Sequence, residues 1–242
     1  MSEAISVSGL TKSYGGRTVL DHLNLSVKAG TVFGLLGANG AGKSTTIECM
    51  LGTKRADGGT VSLLGQDPVR DRRALFERIG VQFQEGDYQQ EIRVFELCEE
   101  TACLYRHPAD CRTLCARFGI GDKLQSPVRS LSGGERQRLF IVLALIPQPE
   151  LVFLDELTTG LDARARREIW QLLASLRDQG LTILLTSHFM DEVEALCDEI
   201  CILRRGNAVF TGTVEEAKAH CGCTDFEDAY LMLSEDEKGE NA

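Results

Sequence analysis

The stretch Gly37-Ala38-Asn39-Gly40-Ala41-Gly42-Lys43-Ser44-Thr45 decides the reading of this 242-residue chain. It fits G-x-x-x-x-G-K-[ST], a glycine-rich loop whose backbone amides, with the N-terminus of the following helix, cradle phosphates. Alternating residues from Val32 to Leu36 predict a strand before it, and Lys43 to Leu51 a helix after it. The amides of Gly40 to Ser44 wrap a β-phosphate, and Lys43 brings a point charge to the β- and γ-phosphates. Ser44 offers its hydroxyl to magnesium and Thr45 assists at the α-phosphate. Taken alone, the loop says only that a nucleoside triphosphate binds.

Working outward, three downstream segments carry chemistry. Leu151-Val152-Phe153-Leu154 is an apolar strand ending in Asp155-Glu156. A carboxylate fixed at such an end can hold magnesium through water, and Glu156 is the candidate general base for an attacking water. Leu131-Ser132-Gly133-Gly134-Glu135 contains Ser132-x-x-Glu135, a capping box that opens a helix. Thr186-Ser187-His188 closes a continuously apolar strand from Leu181, of the kind buried in parallel sheets.

In chain order, Gly37–Thr45, Leu131–Glu135 and Leu151–Glu156 resemble the phosphate loop, signature and Walker B elements of the ATP-binding-cassette (ABC) ATPases, and the resemblance covers nearly the whole chain. It implies an α/β fold: a P-loop NTPase (RecA-like) core with an N-terminal antiparallel β subdomain and an inserted α-helical subdomain. Expected bounds are a core of about 1–84 and 148–212, a helical subdomain of about 85–147 and an acidic tail of 213–242. The resemblance places Ser132, Gly133 and Gly134 against a γ-phosphate bound by a second subunit. His188 becomes the switch histidine. Gln84, after Ile79-Gly80-Val81-Gln82-Phe83, is the glutamine that meets magnesium and the water. Thr158-Thr159-Gly160-Leu161-Asp162 is similar to the D-loop, and Asp162 is equally a helix N-cap. Tyr14, in Lys12-Ser13-Tyr14-Gly15, matches the aromatic that stacks on the purine, although a strand-end tyrosine can also simply pack. Stacking discriminates bases poorly, so ATP follows from the resemblance and GTP stays open. Departures from the family pattern are Phe83, Glu135 and Leu157, where proline, glutamine and proline are frequent.

Composition bounds the setting. The longest apolar run, Leu139 to Ile146, is far short of the roughly 18 residues of a membrane span. The opening residues lack a secretory signal, so a cytoplasmic location is expected, peripheral on the inner face of the membrane through a permease. Nine cysteines at irregular spacing suit reduced thiols better than a disulfide framework. Cys111/Cys115 and Cys197/Cys201 fall four apart on helical or helix-adjacent stretches, and Cys221-Gly222-Cys223 is the least excluded metal pair. Trp170 is expected to pack beside Ile169, Leu172, Leu173 and Leu176 on one helix face. The net charge is −10, and residues 213–242 hold nine acidic and two basic residues. With no basic cluster, nucleic acid is not an expected partner.

The expected function is therefore ATP binding and hydrolysis in an ABC transporter, with a transmembrane permease and a second copy or paralogue as partners. The groove beside Gln84 and residues 85–88 is the expected docking site of the permease. The wording Val81 to Gly86 and the ending Asp225 to Leu231 resemble ATPases of small-molecule, drug or ion exporters. An importer ATPase is the near alternative, and a soluble ABC ATPase acting on ribosomes or DNA the distant one.

Overall fold

A computed structural model describes residues 2–82, 89 and 91–234. The first two strands, β1 (Glu3–Tyr14) and β2 (Arg17–Lys28), form an antiparallel hairpin turning at Gly15-Gly16. On β2 the alternation is direct from Leu23, with Leu23, Leu25 and Val27 buried and the residues between them exposed, and Leu20 is buried ahead of a register shift. Next come β3 (Val32–Gly37), α1 (Lys43–Met50) and β4 (Gly58–Leu63), the last pairing with β1 in a sheet of order β2-β1-β4.

The remaining elements are α2 (Arg72–Leu75), β5 (Ile79–Gln82), α3 (Val94–Ala102), α4 (Cys111–Arg117) and α5 (Gly133–Leu145). They continue as β6 (Leu151–Asp155), α6 (Ala163–Asp178), β7 (Thr182–Thr186), α7 (Met190–Leu196), β8 (Glu199–Arg204), β9 (Asn207–Gly212), α8 (Val214–Cys221) and α9 (Phe226–Ser234). Strands β5-β6-β7-β3-β8-β9 form a second sheet, parallel except for β9. Strands β6 and β7 are buried along their full length, which is why they read as continuous apolar runs; β3, read as alternating, is buried throughout as well.

Apolar side chains fill both faces of this sheet. On one face Phe33, Leu35, Phe153 and Leu184 meet α1 and the antiparallel sheet. Fully burying a side chain of this size contributes about 1.5–3 kcal/mol. On the other, Val152, Leu154, Ile183 and Leu185 join Phe118, Leu139 and Val142, so α3, α4 and α5 share a continuous core with the sheet. A third cluster, with Leu36, Val193, Ile202 and Phe226, covers the far edge under α7, α8 and α9.

Several details differ from the sequence reading. Strand β1 is long, reaching Tyr14, and pairs on both sides, with β2 and with β4. The short helices α2 and α7 carry too few residues for a periodic signal and were not expected. Cys197 ends α7 while Cys201 lies in β8, so that four-residue spacing does not share a helix. Trp170 does more than pack: its indole donates to Glu192. Leu172 is only partly buried, unlike Ile169, Leu173 and Leu176. Cys98, Cys111 and Cys115 are buried together in the helical lobe, where burial pushes the Cys111 thiol up to about 11. All nine cysteines are free.

Candidate nucleotide site

Strand β3 delivers the chain at Gly37 to the glycine-rich loop, and the loop turns into α1 at Gly42. That residue has φ 110°, a left-handed conformation that suits glycine and not a β-substituted residue. No side chain caps α1 and no acidic residue occupies its first turn. Its first amides and the positive end of its dipole are thus left to whatever enters the cavity beside them, which suits an anion. Lys43 is buried, and its Nζ donates to the carbonyls of Gly37 at 2.7 Å and Ala38 at 3.3 Å. Burial lowers the Lys43 pKa, against the pull of Glu156 and Asp155, so the ammonium is held close to two carboxylates.

The carboxylates arrive on the neighbouring strands. Parallel pairing of β6 with β7 sets Asp155 beside Thr186, whose hydroxyl donates to Asp155 Oδ1 at 2.5 Å. Burial raises the Asp155 pKa, with the Thr186 hydrogen bond opposing it. One residue on, Glu156 has φ 50°, a strained conformation for a residue with a Cβ. Its amide donates to Thr186 Oγ1 at 3.0 Å, and its Oε1 lies 2.5 Å from His188 Nε2. The backbone strain and the Thr186 contact aim the Glu156 side chain at the histidine.

A cavity of about 750 Å³ is lined by Tyr14, Arg17, Val19, Asn39, Gly40, Gly42, Lys43, Ser44, Thr45, Glu156 and His188. This lies within the usual range for small-molecule sites. Tyr14 is 42% exposed, with Lys12 Nζ 5.1 Å and Lys54 Nζ 5.7 Å from its ring centroid. Arg17 and Val19 were missed by the sequence reading; Arg17 comes to the cavity by pairing with Tyr14 across the hairpin.

Other expected residues lie elsewhere. Ser132, Gly133, Gly134 and Asp162 do not line the cavity. Ser132 caps α5 through the amide of Glu135, while Glu135 accepts from the Ser132 amide at 2.8 Å. Asp162 caps α6 by accepting from the Ala165 amide at 2.8 Å. The two caps are neighbours: a Cβ on Gly133 would meet Leu161, and one on Gly134 would meet Ala165. Ser132, Gly133 and Asp162 are exposed, so this pair of caps presents a surface to solvent. Gln84 and residues 85–88 lie outside the described residues.

Among the described residues, no three or more His, Cys, Asp or Glu side chains group as a metal site. A magnesium ion held mainly by phosphates needs only one or two hard oxygen donors. The Ser44 hydroxyl and the buried Asp155 carboxylate are donors of that type and fit it.

The ABC transporter family model matches residues 20–159. The chain is 42% identical over 228 residues to the Nod factor export ATP-binding protein I of Ralstonia nicotianae (strain ATCC BAA-1114 / GMI1000), covering 90% of this chain and 70% of that protein. It is 38% identical over 226 residues to the daunorubicin/doxorubicin resistance ATP-binding protein DrrA of Streptomyces peucetius, covering 91% and 68%. A solved structure of an ATP-binding subunit of an ABC transporter matches with a TM-score of 0.86 at 25% identity, over 96% of this chain and 100% of that one. The fold is thus that of the P-loop NTPases, as the family resemblance implied. With the family's segment running from the hairpin through the strand-end acids, and relatives aligned along most of its length, the chain belongs to the ABC transporter family as an ATP-binding protein.

Proposed function

We propose that this chain is the ATP-hydrolysing subunit of an exporter, driving a small molecule, drug or ion through a separate membrane-spanning permease. The observation that carries the hydrolytic part is the Glu156–His188 pair at the mouth of the phosphate-loop cavity. Tyr14 stacks on the adenine, and the amides of Gly37 to Thr45, with Asn39 and Ala41 among them, enclose the phosphates. Lys43 turns from the loop carbonyls to the β- and γ-phosphates. Ser44 and Asp155 hold magnesium, with Gln84 joining them; the ion supplies charge neutralisation between the phosphate oxygens. Glu156 orients the attacking water and accepts its proton as the γ-phosphoryl group passes to that water, leaving ADP. His188 holds the Glu156 carboxylate in place and contacts the γ-phosphate.

Ser132, Gly133, Gly134 and Asp162 complete the cavity of a second copy or a paralogue, which accounts for their exposed position away from their own chain's cavity. The relatives named for Nod factor export and daunorubicin resistance support export over import. Among the described residues no helix is long and apolar enough to cross a membrane, so the conduit belongs to the permease. The chain is then peripheral on the inner face of the membrane. A groove of about 640 Å³ between α2 and the segment after α3 opens over Arg72, Phe76, Leu104 and Tyr105, and we seat the permease there.

Steady-state ATP hydrolysis across chain concentration tests this reading. Activity per subunit that rises with concentration and requires magnesium is expected. Activity independent of concentration in a chain that stays monomeric would overturn the shared site.

A further inference from the structure

Behind the histidine stands a carboxylate that the chemistry above does not use. Glu192 in α7 is 3% exposed, the most deeply buried acid among the described residues. A carboxylate this far from water is retained where donors meet it. The Ser187 hydroxyl, just past the end of β7, donates to one oxygen, and the Trp170 indole N–H of α6 donates to the other at 2.9 Å. Burial raises the Glu192 pKa, and the surrounding donors, Ser187 first, oppose that rise. Ser187 Oγ in turn accepts the Phe189 amide at 3.0 Å. Both neighbours of His188 are therefore held by one network. Arg166 closes it from outside, 4.4 Å from the Phe189 ring centroid and 3.5 Å from Asp191.

We infer that Glu192 is a positioning residue for hydrolysis: it fixes the Ser187–Phe189 backbone that aims His188 at Glu156, and it ties that turn through Trp170 to α6. The inference rests on the hydrolytic reading above. It assigns Glu192 no contact with nucleotide, so its loss acts on turnover and spares binding.

Glu192→Gln keeps the shape but leaves the network one acceptor short. In the purified chain this substitution is expected to lower kcat about ten-fold and to change KM for ATP by less than about two-fold, since misplacement of a supporting group acts on the chemical step. Trp170 is the sole tryptophan, so its emission reports the network directly. In a Glu156→Gln background, ATP is expected to shift that emission, and Glu192→Gln is expected to abolish the shift. A kcat within about two-fold of the parent with the emission response intact would overturn the inference, as would a fall in kcat matched by an equal loss of nucleotide affinity. Should Glu192→Gln fail to fold, Trp170→Phe removes one donor and keeps the ring; it is expected to lower kcat with KM retained, and unchanged kcat overturns the proposal. Failure of the hydrolytic reading would look different: the parent chain would turn over no ATP, alone or with a permease.

Discussion

Glu156 Oε1 and His188 Nε2 stand 2.5 Å apart, joining the ends of two neighbouring strands at the mouth of the phosphate cavity. Glutamine at position 156 can keep a hydrogen bond to the imidazole but cannot take a proton from water. Glu156→Gln is expected to reduce turnover by about 10²-fold or more, with ATP retained and the two-chain assembly persisting. Turnover and bound nucleotide measured on the same preparation check this; normal hydrolysis would remove Glu156 from the role of base.

The backbone of the same residue supplies a second prediction. With φ 50°, position 156 is strained for any side chain with a Cβ and relaxed for glycine. Glu156→Gly is therefore expected to be more stable than Glu156→Ala by about 1 kcal/mol, although both lack the carboxylate. Urea denaturation of the two variants decides it, and an alanine variant of equal or greater stability would show the conformation to be unstrained.

Asp155 carries a pH argument. Burial raises its pKa, so the folded chain binds this proton more tightly than the unfolded chain. The carboxyl favours folding below the ordinary carboxylate range, and that contribution is lost as pH rises through the raised folded-state value. At neutral pH the buried ionised group opposes the fold. Asp155→Asn is expected to raise Tm by about 2–4 °C without nucleotide and to lose that advantage in magnesium and ATP. Thermal melts at neutral pH, with and without the ligands, provide the comparison; a lower Tm without ligand would contradict the sign.

Where α5 lies on β5, Gly80 leaves no room for a side chain, because an added Cβ would fall 2.0 Å from the Ala144 carbonyl oxygen. Gly80→Ala is expected to cost about 1–3 kcal/mol by forcing the helix off the strand. A chemical-denaturation midpoint equal to that of the parent would mean that the helical lobe shifts freely over the sheet.

Much of this was legible in the residues. The phosphate loop and strand-end acids announce themselves because phosphate chemistry demands local backbone and a rigid strand terminus, and Lys43, Ser44, Asp155 and Glu156 are contiguous in short segments. The capping box at Ser132 was equally local, and it forms. Arg17 and Glu192 were not legible. Arg17 reaches the cavity only through the register of a hairpin, and Glu192 meets Trp170 across 22 residues, a juxtaposition that tertiary packing alone creates. Helices as short as α2 show too little periodicity to be seen in advance.

The exposed caps at Ser132 and Asp162 have a genetic consequence. If each copy lends these caps to its neighbour's cavity, an allele broken at Lys43 and one broken at Ser132 are each silent when alone. Expressed together, they form a mixed pair in which one cavity is doubly damaged and the other is whole. Two null alleles of a single gene would then complement each other, whereas two alleles both broken at Lys43 would not.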